Sequence, residues 1–216
     1  MIKHLTEQER QLLDKRVAEA EQRTGCQVVL AVIARSDVYA EIPWKAFALG
    51  AAAAGLAVFV WDVLQPVWIT WATVLIAVTT IMAAGAACAL ASIHLSAVAR
   101  FFLDRNRAEV EVLQYAQSLF LSRELFATSG RTGILLLVSL FERRVALLPD
   151  KGVEKRLNSE AQQAIITEMS GPLAEGRVAA AMDRGLMGLE KALAGTAPKT
   201  PGKDELPNQI VEEKGV

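Results

Sequence analysis

The pattern of apolar and polar positions divides the chain into regions of different character. Up to Gly25 the apolar residues keep a helical period: Leu5, Leu12, Leu13, Val17 and Ala20 fall on one face between charged positions. Thr6-Glu7-Gln8-Glu9 matches a capping box, in which the Thr6 hydroxyl and the Glu9 carboxylate satisfy amides at a helix start. Gly25 supplies the left-handed residue that ends such a helix. Residues 27–33 then run apolar without alternation and rich in β-branched side chains, which predicts a strand covered on both faces.

The middle of the chain is different. No Asp, Glu, Lys or Arg occurs from 46 to 61, and after Asp62 none appears until Arg100. A helix rises about 1.5 Å per residue and a hydrocarbon core is about 30 Å thick, so two passes fit, near 43–62 and 67–93. Asp62-Val63-Leu64-Gln65-Pro66 reads as the turn between them, and Trp44, Trp61, Trp68 and Trp71 fall near the ends, where indole rings prefer to sit. Residues 94–100 join this hairpin to the second half of the chain. Within the spans the polar residues are Thr70, Thr73, Thr79, Thr80, Ser92 and His94, which offers no ion path and makes transport an unsuitable reading. Gly50, Ala54 and Gly55, with Ala83, Ala84, Gly85 and Ala86, allow close helix contact within the hairpin or with a second copy, which would make a homo-oligomer.

Beyond the hairpin the helical period returns over residues 107–127, with a stripe of Val112, Tyr115, Ala116, Leu119 and Phe120. Gly130 and Gly133 bracket a loop. Residues 134–140 and 144–148 read as two buried strands paired through a short turn, and helices come next near 158–170 and 175–194, separated by Gly171-Pro172. Strands apolar on both faces need helices on both sides, which predicts an α/β/α sandwich with a small mixed sheet. Residues 1–40 and 101–195 form this discontinuous α/β domain, the transmembrane hairpin is inserted at 43–93, and 196–216 is expected to be a flexible tail.

Composition adds little beyond this. The 216 residues are 52% hydrophobic with a mean hydropathy of +0.28, the excess concentrated in the central block. A formal net charge of −1 and the lack of a basic, aromatic-interleaved patch give no reason to expect a nucleic-acid partner. Cys26 and Cys88 make no disulfide framework or zinc spacing and read as small apolar fillers. The charged N-terminus has no secretory signal, which leaves the apolar block as the anchor. Arg35 and Lys45 precede the hairpin, Arg100, Arg105 and Arg107 come after it, and the turn has only Asp62, so both termini are expected in the cytosol.

Thr24-Gly25-Cys26-Gln27-Val28-Val29, the run from Arg131 to Val153, and the late Asp204-Glu205-Leu206-Pro207-Asn208 together resemble the TPM domain family, most closely its bacterial membrane-protein branch. The resemblance implies an α/β/α sandwich and a place in the bacterial inner membrane. It also implies a family linked to acid-phosphatase activity in thylakoid members and to the assembly or repair of membrane complexes. Many relatives carry a signal peptide and place the domain outside the cytosol; this sequence departs on that point.

Candidate chemistry concentrates near the second strand pair. Asp150 with Gly152, just past a strand end, could hold Ca²⁺ or Mg²⁺ through oxygen ligands or assist phosphoester hydrolysis. An Asp-initiated turn with Gly at positive φ explains the same residues. Arg131 and Thr132 could bind phosphate, or simply lead into the strand past Gly133. Glu142-Arg143-Arg144 could meet a partner or anionic headgroups, or form a solvated charged turn. With His4 and His94 the sole histidines, any enzyme would work through carboxylates and a metal. The leading expectation is a non-catalytic, bilayer-anchored module that binds a membrane complex; the alternative is a metal-assisted phosphatase.

Overall fold

The computed structural model describes residues 5–65, 70–194 and 210–215. Pro66, Trp68, His4 and the segment 204–208 lie outside the described residues. The chain divides into two units: residues 1–37 with 106–216, and residues 38–105.

In the first unit, helix α1 (Glu7–Thr24) starts on the capping box, with the Thr6 hydroxyl accepting from the Glu9 amide and Glu9 accepting from the Thr6 amide at 2.8 Å. It ends on Gly25, whose φ is +67°. Strand β1 (Gln27–Arg35) runs on past the expected Ile33. After the second unit come α5 (Arg105–Ser122), a 3₁₀ turn at Leu125–Ala127, β2 (Gly133–Ser139) and β3 (Arg144–Pro149). The helix expected over 107–127 therefore stops short, because Glu124 adopts a left-handed φ of +51°.

Helix α6 (Lys151–Glu154) is one turn, followed by α7 (Ser159–Ala174) and α8 (Val178–Leu193). Gly171-Pro172 does not separate these two helices as expected. Pro172 sits in the last turn of α7, near the helix end, where little of the helix remains for it to disrupt. The break comes at Gly176, with φ +77°.

The sheet is mixed, in the order β3-β2-β1-β4. β1 runs parallel to β2, from Gln27 opposite Gly133 to Ile33 opposite Ser139, and β2 pairs antiparallel with β3. β4 (Val211–Gly215) was not foreseen: this part of the expected flexible tail lies parallel to β1. Alternate residues face two cores, as period-two geometry requires. Val28, Leu30, Val32, Ile134, Leu136 and Val138 pack with α1, α7 and α8. Val29, Ala31, Ile33, Leu135 and Leu137 pack with Val112, Ala116 and Leu119 of α5. Every residue of β2 is buried, and each such Leu, Ile or Val contributes roughly 1.5–3 kcal/mol on leaving water. The fold is the expected α/β sandwich with helices on both faces.

The second unit contains α2 (Glu41–Leu64), α3 (Trp71–His94) and the short α4 (Ser96–Phe101). Helices α2 and α3 have 24 residues each and are long and apolar enough to cross a membrane. Two glycines set their approach. A Cβ on Gly50 would lie 2.9 Å from Cys88 Cβ, and one on Gly85 would lie 2.8 Å from the Phe47 ring. Toward the turn the helices leave a groove of about 770 Å³ lined by Ala54, Val58, Asp62, Thr73, Ala77 and Thr80.

Candidate functional site

The loop before β2 and the end of β3 meet at one corner of the first unit. Thr128 opens the loop: its carbonyl accepts from Arg131 N and its Oγ1 from Thr132 N, both at 2.9 Å. This winding holds Arg131 at φ +53°. The Thr132 carbonyl then accepts from Gln27 N at 3.1 Å, which ties the loop to the start of β1. Asp150 arrives from β3, its amide donating to the Gly133 carbonyl at 2.8 Å.

The two residues that the sequence suggests for separate chemistry are each other's partners. Arg131 Nε and Nη2 donate to Asp150 Oδ2 and Oδ1 at 2.8 and 2.9 Å, a two-pronged pair. Lys151 N donates to Oδ1 at 2.8 Å, so Asp150 also caps α6. The Asp150 side chain is 3% exposed, whereas that of Arg131 is 49% exposed, with its guanidinium 5.9 Å from the Phe126 ring. Three N–H donors and one full positive charge already serve this carboxylate. A divalent cation there would compete with Arg131 and meet its repulsion.

Gly152 belongs to the same corner, for a different reason than the positive φ expected of it. Its φ is not in the left-handed range. A Cβ would meet the Gly130 carbonyl oxygen and lie 2.6 Å from that of Arg131, while its amide donates to Arg131 O at 2.9 Å. Two stretches of backbone touch there. Thr132 is half-buried and contributes its amide to the loop through Thr128 Oγ1.

The corner also lies at an unexpected end of the sheet. Ligands in open α/β sheets gather beyond the carboxyl ends of parallel strands. Asp150 comes after the antiparallel β3, beside the amino ends of β1 and β2. The carboxyl ends of β1 and β2 carry another group, built on Glu142 in a role that its sequence context did not indicate. Glu142, 7% exposed, accepts from Ser36 N at 2.9 Å, from Ser36 Oγ at 2.7 Å and from the Ser139 hydroxyl. The Arg35 guanidinium lies 4.3 Å from the Phe141 ring centroid. Glu142 thus holds the exit from β1 rather than meeting solvent in a charged turn; Arg143 is the exposed member, and Arg144 pairs with Glu109 at 3.5 Å.

Cys26 is buried, and burial pushes its thiol pKa up, which suits a packing role. His94, at the end of α3, is exposed. Among the described residues no three His, Cys, Asp or Glu side chains gather as a metal-ligand group.

The family model of the TPM domain matches residues 96–192, which include Arg131, Thr132, Glu142, Asp150 and Gly152. No curated protein matches the chain. The solution structure of BA42 protein from the psychrophilic bacterium Bizionia argentinensis is similar with a TM-score of 0.60 at 14% identity, over 99% of this chain and 98% of that one. That likeness concerns the fold.

Proposed function

From the TPM domain matched over residues 96–192, we propose that this protein is a membrane-anchored module whose soluble unit binds or supports a membrane complex without catalysing a reaction. The observation that carries the reading is the two-pronged Arg131–Asp150 pair. The carboxylate best suited by sequence to metal or phosphoester chemistry is buried, neutralised and engaged in capping a helix. The anchor is supported by the surface of α2 and α3. Trp44, Leu56, Phe59, Trp61, Trp71, Leu75 and Ile76 all expose more than half of their surface. Helices of 24 residues reach about 36 Å, somewhat more than a hydrocarbon core of roughly 30 Å. Such a surface is costly in water and favourable in lipid.

The alternative is a metal-assisted phosphatase centred on Asp150, which would need the carboxylate released from Arg131. Purified full-length protein assayed on a generic phosphoester with Mg²⁺ or Ca²⁺, beside Asp150→Ala, separates the two. Equal background in both is expected; turnover lost in the variant would establish the phosphatase. Orientation in a bacterial inner membrane, with both termini cytosolic, is tested on cysteines placed by Leu64→Cys or Lys203→Cys. An impermeant thiol reagent added to intact cells should label position 64 and spare position 203.

A further inference from the structure

The C-terminal strand is bound to the sheet as a peptide ligand would be. Its sequence, Val211-Glu212-Glu213-Lys214-Gly215, contains no apolar run, yet it pairs with β1 from Ala31 opposite Val211 to Arg35 opposite Gly215. Its side chains alternate between two sets of receptors. Ile210, 6% exposed, enters the core formed with α1 and α8, while Val211 packs on the α5 side. Glu212 turns back to α1, where Arg10 Nη2 donates to it at 2.7 Å, and its side chain is 2% exposed. Glu213 turns to α5 and accepts from the Tyr115 hydroxyl at 2.7 Å and Arg123 Nη2 at 3.0 Å. The Ile210 amide favours the charged form of Asp14 on α1, and Gly215, with φ +75°, leaves no room for a Cβ beside the Arg35 carbonyl.

A main-chain ladder for affinity with alternating side-chain pockets for selectivity is the physics of strand addition. We infer that the outer edge of β1 is a receptor for an extended acidic segment of the pattern apolar-x-Glu-Glu, and that β4 fills it in cis as a displaceable occupant. Arg10 on α1, with Tyr115 on α5 and Arg123 just past its end, read two consecutive glutamates from opposite faces, and the Ile210 pocket reads the residue two before the first of them. The contrast with β2 explains why β4 is displaceable. All of β2 is buried, whereas no residue of β4 from Val211 to Gly215 is fully buried, and of its two ion pairs Arg123–Glu213 has side chains 49% and 36% exposed, against 24% and 2% for Arg10–Glu212. Pairs as exposed as the first are weak and screened by salt. Elements so held open below the global unfolding free energy. Asp150 is not among the paired residues of this edge.

The test uses the full-length protein in detergent micelles and a fluorescent peptide of residues 210–216. A chain carrying Glu212→Lys and Glu213→Lys repels its own strand from Arg10 and Arg123, leaving the edge open. The peptide should bind this chain roughly tenfold or more tightly than the wild type, since two ion pairs no longer hold the competitor. A peptide with both glutamates replaced by Lys should bind neither chain. A folded variant that binds the peptide no better than wild type overturns the proposal. Hydrogen exchange on the wild type decides the matter even where the variant fails to fold. The β4 amides that donate to β1 should exchange about a hundredfold faster than those of Leu135–Leu137 in β2, which lies between β3 and β1, and faster again in molar salt; equal protection overturns the proposal.

Discussion

Asp14 shows how one residue can be set against its surroundings. Burial raises its carboxyl pKa above the ordinary value, opposed by Arg10 and by the Ile210 amide, and its Oδ1 is buried without a hydrogen-bond partner. The folded state therefore favours the protonated acid. That cost is present above the folded pKa and absent below the ordinary carboxylate value. Asp14→Asn, which keeps an acceptor for Ile210, should raise thermal stability at pH 7, and the gain should fade as pH falls through the folded pKa. Tm measured across pH 3 to 7 checks it; a gain independent of pH would mean that the charge is not the cause. In the loop before β2, Arg131→Ala leaves the Asp150 carboxylate buried without its counter-charge, at a cost of roughly 1–3 kcal/mol. Asp150→Ala alone should cost a similar amount, and the double variant clearly less than the sum, because each single change removes the same pair. Gly152→Ala drives a methyl into two backbone carbonyls and should cost about 2 kcal/mol or more. Denaturant unfolding of each variant measures all four.

Elements differ in how far their local sequence specifies them. Helix α1 carries its start at Thr6, its apolar face and its stop at Gly25, and the structure realises all three. The apolar runs of β1 and β2 specify burial on both faces, hence helices on both sides. Strand β4 carries none of this in Val-Glu-Glu-Lys-Gly. Its partner Arg10 is 202 positions from Glu212, and Tyr115 is 98 from Glu213, so only the assembled sheet reveals the match. The candidate site behaves alike. Arg131 and Asp150 are visible as residue types suited to chemistry, but a separation of 19 positions in sequence does not say that they neutralise one another. The buried role of Glu142 was not legible because a charged residue between two strands reads as a solvated turn, whereas Ser36 and Ser139 make it a buried acceptor. Within the hairpin, the apolar pattern fixes the helices and the glycines fix their contact. Gly50→Leu and Gly85→Leu should therefore each lower stability: at Gly50 the added carbon meets Cys88 and the Ala84 carbonyl, and at Gly85 it meets the Phe47 ring and the Phe47 carbonyl. Thermal unfolding in detergent should show a lower Tm for both.

At the scale of the whole molecule, the question is whether the second unit is an insert that the first can do without. The chain leaves the first unit after Asp37 and re-enters it at Asn106. Those two points are held side by side, since Arg107 Nη2 donates to Asp37 Oδ2 at 2.7 Å. Just before the exit, Ser36 is anchored on Glu142 through its amide and hydroxyl, so the gap is fixed from within the first unit. All four strands of the sheet belong to the first unit: β1 finds β2 on one side and β4 on the other. Closing so short a gap requires only a few residues, and the entropic cost of a short flexible link is small beside that of ordering a longer one. Replacing residues 38–105 with about six Gly and Ser residues should therefore give a protein that stays in the supernatant without detergent and unfolds in one cooperative transition. Arg107→Glu in that background should lower its stability by up to about 1 kcal/mol, because it sets two carboxylates at the closure point. A shortened chain that aggregates, or melts without cooperativity, would mean that the first unit's core is completed by residues from the second. The insertion would then be a structural part of the first unit.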